Sequence, residues 1–293
     1  MQKKILILGA TGMLGSFFIK SSFLEGFQVF THSKSGFAQF TFDLCDKQRL
    51  IKMLIEIEPD FIINFTGLTD VDFCEQYPNI AYQCNTKIIE NLSSCIKDLE
   101  INTKLIHIST DQVYDGDGPH EENNVAIRNY YAFSKYSGEI AASRINSLIL
   151  RTNFFGLSNH PSRRSFSDWI YNSLINRTEI KLFNDVKFNP LSMGTLCELL
   201  GKSLDSNISG VYNLGSKNGM SKAEFALYFA KKLKMNTDIF RNISIEEFQP
   251  LKAYRPRDMI SNVSSFERDF EIKLPKLEEE INSVVQEYLD ENQ

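Results

Sequence analysis

Tyr131 and Lys135 stand four residues apart in Tyr131-Ala132-Phe133-Ser134-Lys135. On a helix, that spacing puts a phenol and an ammonium on one face. A free tyrosine titrates at about 10 and is a poor acid–base group near neutrality. A neighbouring ammonium favours the phenolate and draws that value toward the working range. Upstream, Ser109-Thr110-Asp111 follows a strand expected at residues 104–108. A hydroxyl at that strand end is placed to hydrogen-bond and polarise a carbonyl. A second string, Gly9-Ala10-Thr11-Gly12-Met13-Leu14-Gly15, follows the apolar run Ile5-Leu6-Ile7-Leu8. In this strand-to-helix context Gly9 permits a tight turn, Gly12 lets the backbone approach a pyrophosphate, and Gly15 allows close helix–sheet packing. A helix opening there offers unsatisfied N–H groups to the phosphates. The two strings together predict a nicotinamide-dependent enzyme that moves a hydride and a proton at one carbon.

Cofactor choice is read from the second strand. Its end is Thr31-His32-Ser33-Lys34, with no carboxylate to accept from the adenine ribose hydroxyls. Ser33 and Lys34 suit a ribose phosphate instead, which favours NADPH, with NADH as the alternative.

These groups need a scaffold that brings strand ends together, and the first half of the chain supplies the pattern. Strands are expected at residues 4–8, 27–31, 39–42, 60–65, 104–109 and 147–151, and helices at 13–25, 47–58, 80–99 and 131–144. Strands alternating with helices imply right-handed crossovers and a parallel sheet covered on both faces. Ligands of such sheets bind at the carboxyl ends of the strands, where all the candidate groups fall. Past residue 151 the alternation loosens, with helices expected at 165–176, 194–205, 221–234 and 276–290. The expected fold is therefore α/β, a Rossmann-type doubly wound parallel sheet with a smaller, partly interleaved C-terminal substrate lobe. Its domains would be 1–151 for the dinucleotide and 152–293 for the substrate, some segments of the latter returning to the sheet.

Composition narrows the class. The chain has 293 residues, 42% of them hydrophobic, enough for a sizeable core. A net charge of −5 argues against a general nucleic-acid binder. Five cysteines, with no C-x-x-C pair, point to reduced thiols rather than a disulfide framework. The four histidines lack metal-ligand spacing, so no metal site is expected. No apolar run is long enough to cross a membrane. The glycines interrupt the N-terminal apolar stretch, which reads as a strand and turn rather than a secretory signal. A soluble, cytoplasmic protein is expected, a monomer or a homodimer.

The strings Gly9–Gly15, Ser109-Thr110-Asp111-Gln112-Val113-Tyr114-Asp115-Gly116 and Tyr131–Lys135 resemble the extended short-chain dehydrogenase/reductase superfamily, and within it the dTDP-4-dehydrorhamnose reductase family. Further matches are Pro59-Asp60-Phe61-Ile62-Ile63-Asn64, Thr69-Asp70-Val71-Asp72, Leu150-Arg151-Thr152-Asn153-Phe154-Phe155-Gly156 and Arg255-Pro256-Arg257-Asp258, so the likeness spans nearly the whole chain. The resemblance implies a catalytic set of Thr110, Tyr131 and Lys135, with Tyr131 giving the proton to a ketone oxygen. It implies that Asp43 and Leu44 lie at the adenine end. Thr66, Gly67 and Thr69 would line the cofactor, and Asn85 would sit behind the lysine. Asp111, Val113, Asn153 and Phe154 would border a sugar pocket. Arg255 is assigned to the nucleotide diphosphate, which a guanidinium suits by bidentate hydrogen bonding.

The activity so implied is NADPH-dependent reduction of the 4-keto group of a nucleotide-activated 4-keto-6-deoxy sugar, feeding a surface polysaccharide. The chain departs from the family's wording at Phe65-Thr66-Gly67, where small alanines are usual, and at Phe154, where a tryptophan is usual. Ser16-Phe17-Phe18 replaces the acidic residue that serves a magnesium-bridged dimer in some members, so neither magnesium nor that dimer is expected. An epimerase or dehydratase of the same superfamily is the rival enzyme. Gln112 stands where a dehydratase often carries an acid, which favours the reductase. A non-catalytic dinucleotide-binding subunit is the rival from another class, because the regulatory beta subunit of methionine adenosyltransferase resembles the same family.

Overall fold

In the computed structural model, residues 2–291 are described. They form two compact units. The first comprises the described residues up to Thr110, together with Asn129–Arg151 and Leu200–Tyr212. The second comprises Asp111–Arg128, Thr152–Leu199 and the described residues from Asn213 onward. Arg151 and Thr152 fall in different units, and two segments cross that division. Asp111–Arg128 leaves the first unit, and Leu200–Tyr212 returns to it.

The first unit is built on a seven-stranded sheet. From one edge its strands are Gly210–Leu214, Ser147–Thr152, Lys104–Thr110, Phe61–Asn64, Lys4–Leu8, Gln28–Ser33 and Phe40–Thr41. Lys4–Leu8 pairs in parallel with both Gln28–Ser33 and Phe61–Asn64, and the latter pairs in parallel with Lys104–Thr110. The near-continuous apolar runs of Lys4–Leu8 and Phe61–Asn64 are what a sheet buried on both faces requires. The chain order reverses beside Lys4–Leu8, and the crevice at such a switch point is where ligands of open α/β sheets bind.

On one face, Leu6, Leu8, Ile62 and Leu105 pack against Leu50, Leu54, Leu92 and Ile96 from the helices Lys47–Ile57 and Ile88–Asp98. Asp46 starts the first of these helices by accepting from the Gln48 and Arg49 amides, both at 3.1 Å. The helix stops at Glu58, which takes a left-handed φ of 47° before Pro59. The helix Tyr130–Ala142 starts at Asn129, whose side chain accepts from the Ala132 amide at 2.7 Å.

Two helices differ from expectation. The helix expected at residues 13–25 ends at Phe18. There the Ser21 amide and hydroxyl both donate to the Phe18 carbonyl, at 3.0 and 2.7 Å, and a 3-10 turn Ser22–Leu24 follows. The helix expected at 80–99 is Pro78–Tyr82 and Ile88–Asp98 joined by a π turn, Gln83–Lys87. A short helix Val71–Gln76, capped by Asp70, escaped the sequence pattern.

The second unit has its own core, in which Phe155, Phe188, Phe225, Phe229 and Tyr288 pack with Ile170, Leu182, Ile281 and Val284. Its helices Phe166–Asn176 and Lys222–Lys232 each open with a reciprocal capping box, Ser165 with Asp168 and Ser221 with Glu224. Short two-stranded pairings fasten the loops between them.

Candidate active site

The Gly-rich turn lies where the spacing places it, directly after the strand Lys4–Leu8. The Gly9 and Ala10 amides both donate to the His32 carbonyl at 3.0 Å, fastening the turn to the second strand. Gly9 has φ +79°, and a Cβ there would meet the Phe65 backbone at 3.0 Å. A Cβ on Gly15 would run into the Gly9 carbonyl. Only glycine fits either position. Leu14 is buried beneath the turn, and Thr11 Oγ1 donates to the Ser35 carbonyl at 3.4 Å. The turn is therefore a cradle that keeps side chains away from whatever lies on it.

At the end of the second strand, the two residues assigned to a ribose phosphate part company. Lys34 is exposed and pairs with Asp43 at 2.7 Å. Each raises the other's preference for charge: Asp43 lifts the lysine pKa, and Lys34 lowers the carboxyl's. Ser33 is buried, with its Oγ closed off from solvent. Ser33 is the last residue of the strand, and Lys34 lies beyond it in a bend. Leu44 is likewise part of the core, while Asp43 reaches the surface.

Around the switch point, Thr66 Oγ1 donates to Asn64 Oδ1 at 2.6 Å. The π turn delivers Asn85 into the centre of the site, as such bulges often do at functional positions. Asn85 Oδ1 accepts from the Leu68 amide at 2.7 Å. Its Nδ2 donates to the Leu68 carbonyl at 3.0 Å and to Ser134 Oγ at 2.9 Å. Ser134 Oγ in turn donates to the Tyr131 carbonyl at 2.8 Å. One asparagine thus braces both the Gly67–Leu68 loop and the helix that carries Tyr131 and Lys135. A Cβ on Gly67 would stand 3.3 Å from Asn85 Oδ1 and 3.7 Å from Lys135 Nζ, so glycine here leaves room beside the ammonium. Thr69 is exposed just beyond.

Thr110, Tyr131 and Lys135 are all buried on this unit. Lys135 Nζ donates to the Ile108 carbonyl at 2.6 Å, two residues before Thr110 on the same strand. Burial pulls Lys135 down to about 8, with the Glu139 carboxylate opposing the drop. One turn further along the helix, Glu139 is held by Arg151, with Nη2 to Oε2 at 2.7 Å and Nε to Oε1 at 3.0 Å. Ser109 Oγ also donates to Glu139. Under Lys135 lies His107, fully buried, accepting at Nδ1 from Asn64 Nδ2 at 3.0 Å. Burial, reinforced by the Lys135 charge, holds His107 well below its ordinary value, so it is neutral. Asn64 and Arg151 stood in the family strings without a role, and His107 and Glu139 were not singled out from sequence. The i, i+4 spacing of Lys135 and Glu139 is the signal that could have flagged the latter.

In the second unit, Asp111 and Val113 are buried in a 3-10 turn, Asp111–Val113. Asn153 Nδ2 donates to Asp111 Oδ2 at 2.9 Å, joining two of the assigned sugar residues. Phe154 is half-buried on a strand paired with Leu191. Arg255 Nη1 donates to the Ala253 carbonyl at 3.1 Å. Around it, Tyr254 OH donates to Asp115 Oδ2 at 2.9 Å, and Arg128 pairs with Asp115 at 3.3 Å. Among the described residues no cluster of His, Cys, Asp and Glu could hold a metal ion, and no helix is long and apolar enough to cross a membrane.

A parallel sheet with a glycine cradle at its switch point, and a buried Tyr131/Lys135 helix beside Thr110, defines an oxidoreductase of the extended short-chain dehydrogenase/reductase class. The RmlD substrate binding domain model matches residues 3–290, and the chain belongs to that family. It is 28% identical over 296 residues to the probable low-salt glycan biosynthesis reductase Agl14 of Haloferax volcanii, covering 97% of this chain and 98% of that protein. It is 26% identical over 263 residues to the dTDP-4-dehydrorhamnose reductase of Sinorhizobium fredii, covering 83% and 86%. The crystal structure of dTDP-4-dehydrorhamnose reductase from Bacillus anthracis in complex with NADP superposes with a TM-score of 0.89 at 25% identity, covering 98% of this chain and 100% of that one.

Proposed function

We propose that this protein reduces the 4-keto group of a nucleotide-activated 4-keto-6-deoxy sugar, with NADPH, for a surface polysaccharide. The carrying observation is that Lys135, on one helix face with Tyr131, is bonded to the strand that ends in Thr110.

The cofactor, when bound, supplies the hydride. The cradle fits a dinucleotide because Gly9 and Gly15 let the turn close against backbone, and Gly67 carries no side chain beside Asn85 and Lys135. Lys34 is the cation for a 2′-phosphate, and Asp43 is the carboxylate that such a phosphate displaces. At the reacting carbon, Thr110 donates a hydrogen bond to the ketone oxygen and Tyr131 gives it a proton. Lys135 keeps its charge below about 8 and favours the phenolate that this transfer leaves behind. On the sugar side, Asp111 and Asn153 offer a joined acceptor and amide to hydroxyl groups. NADPH consumption by the isolated protein, with a panel of dTDP-, UDP- and GDP-linked 4-keto-6-deoxy sugars, tests this. Turnover with one nucleotide series supports it, and turnover with none refutes it.

A further inference from the structure

Lys222 opens the helix Lys222–Lys232 and points its ammonium over two aromatic rings of the second unit. Nζ lies 3.4 Å from the Phe188 ring centroid and 4.5 Å from that of Phe166. Among the described residues nothing accepts a hydrogen bond from it or forms an ion pair with it. Burial draws its pKa down to about 8, and the Asp111 carboxylate opposes the drop, so the charge is retained at neutrality. Ring faces stabilise a cation but satisfy none of its three N–H donors. The residue is half-buried, so these donors stay within reach of a ligand.

We propose that Lys222 is a further substrate residue, donating to an oxygen of the hexose ring system rather than to the diphosphate. The inference rests on the nucleotide-sugar reading above. Its chemistry comes from the neighbours. Asp111 only accepts, Lys222 only donates, and the amide of Asn153 already bridges to Asp111. A sugar hydroxyl both donates and accepts, and so suits a region that carries both a carboxylate and an ammonium. A phosphate only accepts, and its charge would face Asp111. The Phe166 and Phe188 rings add apolar surface of the kind that covers sugar C–H groups.

The test is calorimetric binding of dTDP, dTDP-glucose and dTDP-rhamnose to the parent protein and to Lys222→Met and Lys222→Gln. Loss of one charge-assisted hydrogen bond is expected to weaken both dTDP-hexoses by roughly tenfold or more, leaving dTDP within about twofold. Equal weakening of dTDP and the hexoses would assign the ammonium to the diphosphate and overturn the proposal, as would no weakening at all. A second measurement needs no variant. Acetylation of Lys222, followed by mass spectrometry, should be slowed by dTDP-rhamnose and not by dTDP; equal protection overturns the proposal. Tight hexose binding without ketone reduction would sink the reductase reading and leave Lys222 judged by these ratios. If no nucleotide sugar binds the parent protein, both readings fall.

Discussion

Lys135 Nζ donates to the Ile108 carbonyl at 2.6 Å, so one hydrogen bond ties the helix bearing Tyr131 to the strand ending in Thr110. The same ammonium is buried, and its pKa is drawn from 10.5 to about 8. Activity should therefore hold below about pH 8 and fall above it, as the amine loses the charge that favours the phenolate. Stability moves the other way. The unfolded chain keeps this proton up to 10.5, so between about 8 and 10.5 it binds more protons than the folded state. Lys135's contribution to stability rises across that window. A pH–rate profile and denaturant melts of the parent and Lys135→Met would show both trends, and the variant should lose the residue's share of each.

Tyr131→Phe removes one oxygen from a buried ring and should leave the fold intact. Loss of a positioned proton donor costs about 10² to 10⁴ in rate. The expected result is a collapsed kcat with NADPH affinity unchanged, measured by turnover and by fluorescence titration.

The Glu139–Arg151 pair is buried on both sides, at 3% side-chain exposure each. Arg151→Met would strand the Glu139 carboxylate, at about 3–5 kcal/mol. Denaturant melts should show that loss, and Glu139→Gln combined with Arg151→Met should recover part of it.

Gly138 faces the Asn85 carbonyl so closely that a Cβ would collide with it. Gly138→Ala should push the catalytic helix off the π turn, costing about 1–3 kcal/mol as overpacking does. Turnover should fall with it, because Asn85 braces the Tyr131 helix through Ser134.

Lys34 and Asp43 share one exposed ion pair at 2.7 Å. Lys34→Ala should raise the KM for NADPH by about tenfold and leave that for NADH nearly unchanged, the loss of one charge-assisted contact to phosphate. Steady-state kinetics with both cofactors measure it.

The parts legible in the sequence are those whose signal is local. The strand Lys4–Leu8, the turn Gly9–Gly15 and the spacing of Tyr131 and Lys135 each carry their chemistry in a few consecutive residues. Apolar periodicity also located Lys47–Ile57 and Leu277–Asp290 within a residue or so. What escaped depends on contacts across the chain. The π turn that aims Asn85 looks like ordinary helix until Leu68 and Ser134 are seen to claim its side chain. His107 sits in an apolar strand with nothing to mark it as Lys135's neighbour, and its partner Asn64 is 43 positions away. Ser33 and Lys34 looked equivalent, and only the end of the strand separates them: Ser33 pairs with Thr41 and is buried, while Lys34 lies beyond the pairing. Lys222 reads as the first residue after a capping serine; the rings that hold it come from distant segments.

The central claim is hydride delivery to the sugar's C4, with Tyr131 closing the reaction. NADPH deuterated at the transferring position of the nicotinamide, incubated with the dTDP-4-keto-6-deoxy sugar that turns over, measures it through proton NMR of the product. One deuterium at C4, one NADPH consumed per product, and formation slowed by about 10² or more in Tyr131→Phe are the expected results. Sugar converted without net NADPH loss, or deuterium at any other carbon, would contradict that claim and mark an epimerase or dehydratase instead.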